Sequence, residues 1–167
     1  MSGTTPFDDI RGLVTKFQGP DRTVAHLSGS DEAGRGGEML RWLAGWTHRT
    51  PRIDRPLVAV FAATHGLAER VKPGTAGRVR AAVEEISGGH AAVNRACAAS
   101  DLGLKVFDLA LDIPTGDITA GPALGEKACA ATMAFGMEAI AGGTDILVLG
   151  SCGEGGEIAA TAVLSAL

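Results

Sequence analysis

Two hydrophobic rhythms divide the chain. Up to about residue 50 the apolar positions recur at helical spacing; beyond it, short unbroken apolar runs alternate with amphipathic stretches. Thr5-Pro6 opens the first helix, with Thr5 as N-cap, Pro6 in the first turn, and Phe7, Ile10, Val14 and Phe17 on one face before Gly19-Pro20 ends it. Residues 19 to 37, rich in Gly, Ser and Asp, read as a mobile loop. A second helix is predicted from about Gly37 to Thr47. It is apolar on two sides (Met39, Leu40, Trp42, Leu43, Trp46), which suits a helix covered from two directions.

After a linker at 49 to 56, the runs Leu57–Ala62, Lys105–Leu111 and Ile146–Leu149 read as strands buried on both faces, where no alternation is required. Helices fall between them. One presents Val79, Val83 and Ile86 opposite Arg78, Arg80, Glu84 and Glu85, and a shorter one covers about Ala91 to Ala99. Another spans Glu126 to Ala141, with Cys129, Met133, Met137 and Ile140 expected inward and Gly136 expected at a close approach. The last runs from about Glu157 to the end. Strand alternating with helix is the grammar of an α/β parallel sheet with crossover helices. The chain divides, on this reading, into a helical arm at 1–50 and an α/β core at 51–167. So few strands leave open edges and incompletely covered faces, which points to a homo-oligomer or a partner.

Composition narrows the class. The 167 residues carry a net charge of -4, so the basic face of a nucleic-acid binder is not expected. No apolar run reaches the roughly 18 residues of a membrane span. The start, Met1-Ser2-Gly3-Thr4-Thr5-Pro6, lacks the layout of a signal peptide. Cys97, Cys129 and Cys152 are odd in number and form no CxxC pair, which reads as reduced thiols in the cytoplasm without a metal site.

In an open parallel sheet, ligands bind beyond the carboxyl ends of the strands. Three segments would meet there: Thr64-His65-Gly66, the stretch from Asp108 through Asp117, and Gly150-Ser151-Cys152-Gly153-Glu154-Gly155-Gly156. The last holds four glycines between a strand and a helix. It is either a phosphate cradle at a helix N-terminus or a plain turn, and the carboxylates of Glu154 and Glu157 oppose an anion unless they are turned aside or used in chemistry. It fits neither a Walker loop nor a GxGxxG fingerprint, and no cofactor is expected. His65 is either an acid/base or substrate contact or a histidine held by loop backbone. Asp108, inside an apolar strand, needs a backbone, cationic or ligand partner. Ser151 and Cys152 have no base motif beside them, and Asp117 reads as a turn residue.

Four segments then appear in a familiar order: VAVFAATHGLA (58–68), ISGGHAAVNRACAASDLGLKVFDLAL (86–111), GDITAGPALGEKACAATMAFGMEAI (116–140) and GGTDILVLGSCGEGGEIAATA (142–162). Together they resemble the nicotinate-nucleotide–dimethylbenzimidazole phosphoribosyltransferase family over about residues 34 to 167. The resemblance implies a Rossmann-like three-layer parallel sheet, a dimer, and a cytoplasmic enzyme of cobalamin lower-ligand synthesis. Its substrates would be a nucleotide and an aromatic base, with no cofactor or metal. It implies substrate contacts from His65, Gly66, Gly88, Gly89, Asp108, Ser151, Gly153, Gly155 and Gly156.

The departures from the family pattern are specific. Thr64 stands where the family has Asp, Ser151 where it has Glu, and Gly156 where it has Asn. The segment between His65 and Gly88 is a couple of residues short. Members are about twice this length, and the family's usual catalytic glutamate lies in the half with no counterpart here. No residue inherits that role; Glu154 and Glu157 are the candidates to substitute. The alternatives are a noncatalytic nucleotide- or base-binding module, one subunit of a split enzyme, or a purely structural oligomerisation domain.

Overall fold

A computed structural model describes residues 5–28 and 34–167. Part of the expected 19–37 loop therefore lies outside the described residues. The chain forms two units, one up to Asp54 and one from Arg55 to Leu167.

In the first unit, helix α1 (Pro6–Val14) starts where Thr5 N–H donates to the Asp8 carboxylate at 2.7 Å. The helix stops at Val14, one turn before the expected Phe17, which is exposed. No residue of α1 is fully buried among the described residues; Phe7 and Ile10 are half-buried, and capping supports the helix start. The expected loop contains a 3₁₀ turn, Arg22–Ser28, broken at Val24. It packs on α2 (Arg35–Thr47), which begins two residues before its expected start. Gly45 lets Pro20 and Asp21 lie against α2, and Asp21 N–H donates to the Gly45 carbonyl at 3.0 Å. Of α2's two apolar sides, the one bearing Met39, Trp42 and Trp46 remains exposed.

The second unit is a three-stranded parallel sheet in the order β2-β1-β3. Its elements are β1 (Pro56–Ala62), α3 (Gly66–Val71), α4 (Thr75–Ser87), α5 (Ala92–Ala99), β2 (Gly103–Asp108), α6 (Glu126–Glu138), β3 (Ile146–Cys152) and α7 (Gly156–Ala166). Alternation along β1 separates two faces. Val58, Val60 and Ala62 meet Val79 and Ile86 of α4, Cys97 of α5, and Leu111. On the opposite face Phe61 stacks on Phe107 with centroids 5.0 Å apart, and Phe135 of α6 meets Phe107 edge-on at 5.7 Å. Helices therefore lie on both sides of the sheet, as the doubly wound pattern requires.

Several boundaries moved. The second strand spans 103–108 rather than 105–111, because Leu111 N–H turns back onto the Asp108 carboxylate at 3.0 Å and Ala110 takes a positive φ of 54°. The third extends to Cys152, three residues past its expected end, since β1 offers paired backbone as far as Ala62. Helix α3 was not foreseen; with six residues it carries too little periodicity to read. Helix α6 ends at Glu138, and Met133, Met137 and Ile140, expected inward, are exposed. Gly136 has nothing within 4 Å of where a Cβ would stand, so it makes no close approach. Those side chains, with Leu149 (70% exposed) on β3 and Val163 and Leu164 on α7, are apolar surface that the second unit does not itself cover. Among the described residues no helix is long and apolar enough to cross a membrane.

Candidate functional site

Register fixes the position of the site. Ala62 pairs with Asp108 on one side and with Cys152 on the other, so the three strands end level and their following turns leave the same rim. The Ala63 N–H donates to the Cys152 carbonyl at 3.0 Å and ties the central turn to the glycine loop. Thr64 is buried and its hydroxyl donates to the Leu111 carbonyl at 3.2 Å. A carboxylate there would have no proton to give that carbonyl, so the Thr that departs from the family pattern fits its own surroundings. Thr115 N–H donates to the Thr64 carbonyl and Gly66 N–H to the Thr115 carbonyl, both at 3.0 Å. A side chain on Gly66 would run into that Thr115 oxygen.

The glycine loop lies directly beneath His65. Cβ atoms added at Gly153 and at Gly156 would each stand 3.4 Å from the His65 Nε2, and the Gly156 position lies 3.7 Å from the Ser151 Oγ. At Gly153 a Cβ would also come within 2.5 Å of the Ala63 carbonyl oxygen. Gly155 has a φ of 85° and is the αL residue before α7, with Ala68 pressed against it. Two cavities flank the loop. One of about 150 Å³ is walled by His65, Leu67, Ile118, Ala123, Gly155 and Ala159, mostly apolar. The other, about 620 Å³, is lined by Lys72, Arg78, Gly153, Glu154, Gly155 and Ile158 among others.

Charge around the loop is organised. Glu154 accepts two bonds from Arg78, Nε to Oε1 at 2.6 Å and Nη2 to Oε2 at 2.7 Å, with Lys72 Nζ at 3.8 Å. The guanidinium holds the Glu154 carboxyl below its ordinary range and is itself raised by the pair. Glu69 caps α4 by accepting from Gly74 N–H at 2.7 Å and Ala76 N–H at 3.2 Å, bonds that lower its pKa. Asp117 accepts from Thr119 and lies 3.0 Å from Arg70, which lowers it too; it is a turn residue. Desolvation pushes the Cys152 thiol up, away from a nucleophile's range.

Of the expected site residues, the structure brings together His65, Gly66, Ser151, Gly153, Gly155 and Gly156. Asp108 shares the rim but stands across β1 from Cys152, about 10 Å away by strand spacing, and its Oδ1 is taken by Leu111 N–H. It lines neither cavity. Gly88 and Gly89 are not brought to the rim. They follow the far end of α4, whose 13 residues carry the chain about 20 Å from its first turn. Glu157, in the first turn of α7, lines the larger cavity. Lys72 and Arg78 were missed: a pair spanning 76 residues leaves no local signal in the sequence.

Helices on both faces of a parallel sheet, with a glycine loop between a strand end and a helix, define a Rossmann-like α/β fold with its candidate site at the strand-end rim. The phosphoribosyltransferase family profile matches residues 31–167, and the chain belongs to that family. The nicotinate-nucleotide–dimethylbenzimidazole phosphoribosyltransferase of Agrobacterium fabrum is 49% identical over 177 residues, covering 100% of this chain and 51% of that protein. The Sinorhizobium medicae enzyme of the same name is 51% identical over 169 residues, covering 95% and 50%. The crystal structure of the Thermus thermophilus enzyme of that name superposes with a TM-score of 0.68 at 26% identity, over 87% of this chain and 53% of its own. The chain thus spans about half the length of the curated relatives it matches.

Proposed function

We propose that the rim is the substrate-holding part of a nicotinate-nucleotide–dimethylbenzimidazole phosphoribosyltransferase, the step that supplies the lower ligand of cobalamin. The observation that carries this reading is the bare glycine backbone of Gly153 and Gly156 set 3.4 Å, at the Cβ positions, from His65 Nε2. Backbone exposed in this way at the start of a helix suits a phosphate, and the apolar 150 Å³ slot beside it suits a flat aromatic base.

In the reaction, the ribosyl C1′–nitrogen bond of nicotinate mononucleotide breaks and its electron pair leaves with nicotinate. The bare ring nitrogen of dimethylbenzimidazole bonds to C1′, and the N–H proton of its other nitrogen passes to an acceptor. Glu154 is a poor acceptor, because Arg78 stabilises its ionised form and lowers its basicity. Glu157 is the carboxylate left in the larger cavity, exposed on the first turn of α7. These 167 residues therefore bind both substrates but do not supply an efficient general base. Calorimetry with nicotinate mononucleotide, followed by an assay for nicotinate release with dimethylbenzimidazole, tests both halves of the statement. Binding without turnover supports it; absence of binding, or turnover at enzyme-like rates, refutes it.

The same proposal places the protein in the cytoplasm, in keeping with three unpaired thiols. It also makes the protein a homodimer, supported by the free outer edge of β3 beside exposed Leu149 and by the uncovered apolar side chains of α6 and α7.

A further inference from the structure

The turn from the end of β3 into α7, Gly153–Gly156, is a poor candidate for a preformed site on composition alone. Three of its four residues are glycine, the residue that loses most conformational freedom on ordering. Its one charged side chain, Glu154, is gripped by the two-pronged Arg78 contact at 2.6 and 2.7 Å. Arg78 is itself fastened to the turn between α3 and α4. Its Nη1 donates to the Pro73 carbonyl at 3.2 Å, and its Nη2 donates to the Thr75 Oγ1 at 3.0 Å and to the Lys72 carbonyl at 3.4 Å. Thr75 is 1% exposed, and its hydroxyl donates to the Lys72 carbonyl at 2.5 Å. A buried threonine, a helix start and a loop carboxylate thus converge on one guanidinium.

We propose that Arg78 is a positioning residue. Through Glu154 it holds Gly153–Gly156 in place beneath His65, so that the cleft is ordered before a nucleotide arrives. The fork geometry requires arginine, since an ammonium cannot make the paired contact. The pair is itself more than a third exposed, so it contributes little to global stability, and its variants are expected to fold. The consequence for ligand affinity rests on the substrate reading above; the consequence for loop order does not.

The test uses the 167-residue chain and its Arg78→Gln, Glu154→Gln and Arg78→Lys variants. Amide hydrogen exchange of residues 150–158 is read without ligand, and nicotinate mononucleotide affinity by calorimetry. Arg78→Gln and Glu154→Gln are each expected to speed loop exchange about tenfold and to weaken affinity about tenfold, a preorganisation effect, with little change in melting temperature. Arg78→Lys is expected to recover only part of both. A direct anion ligand would behave oppositely for one variant: Glu154→Gln would free Arg78 and tighten binding, and that result overturns the proposal. Unchanged loop exchange in Arg78→Gln overturns it as well. Faster loop exchange in a chain that fails to bind the nucleotide upholds the positioning role and refutes the substrate reading alone.

Discussion

Gly153→Ala perturbs the glycine loop directly, because the nearest atom it meets is backbone. The added Cβ would stand 2.5 Å from the Ala63 carbonyl oxygen, where an ordinary C···O contact is about 3.3 Å or more. About 0.8 Å must be recovered by moving one segment away from the other. That movement stretches the 3.0 Å bond from Ala63 N–H to the Cys152 carbonyl, the bond that ties the central turn to the loop. Overpacking of this kind costs about 1–3 kcal/mol, and the lost hydrogen bond adds about 1 kcal/mol. For a chain of this size each kcal/mol lowers the melting temperature by about 2–4 °C, so a fall of about 5–15 °C is expected. The control is Gly136→Ala, inside α6 with open space around it, which should raise stability by about 1 kcal/mol through helix propensity. Scanning calorimetry reads both. A Gly153→Ala protein within about 1 °C of wild type would refute the packing argument, as would one that keeps full nucleotide affinity.

Further outcomes follow from the same geometry. Thr64→Val keeps the volume but removes the buried donor to the Leu111 carbonyl, and chemical denaturation should show a loss of about 1–2 kcal/mol. The folded pKa values of Glu69, Asp117 and Glu154 lie below their unfolded values, so the folded state holds fewer protons. Their contribution is complete above the ordinary carboxylate range, near about pH 4 to 5, and is lost as pH falls below it; melting temperature against pH should be flat above that window and decline beneath it. Glu69→Gln should flatten part of that decline. Sedimentation velocity should find a dimer at micromolar concentration, and charged substitutions at Leu149 and Leu164 together should return it to monomer.

What the sequence discloses follows the range of the forces involved. The strands at Leu57–Ala62 and Ile146–Leu149 were legible as continuous apolar runs, but the burial on both faces expected from that continuity is seen along β1 and not along β3, where Ile146, Val148 and Leu149 are exposed; the rim follows from the strand-end rule. His65 and the glycine loop were legible for the same reason. Helix α6 was misread: its apolar positions have helical spacing, but spacing cannot say whether a partner surface exists, and Met133, Met137 and Ile140 are not covered within their own unit. The Arg78–Glu154 clamp was illegible because Arg78 read as part of a polar helix face and Glu154 as a carboxylate opposing an anion or used in chemistry, with nothing local to join positions 76 residues apart. Gly88 and Gly89 entered through family resemblance, and the length of α4 carries them away from the rim.

A crystal of this chain grown with nicotinate mononucleotide would test the substrate-holding rim most directly. The phosphate should lie on the amides of Gly153–Gly156 with the nucleotide beside His65. Density for the nucleotide elsewhere, or an empty rim at saturating concentration in a crystal that leaves it open, would contradict the assignment.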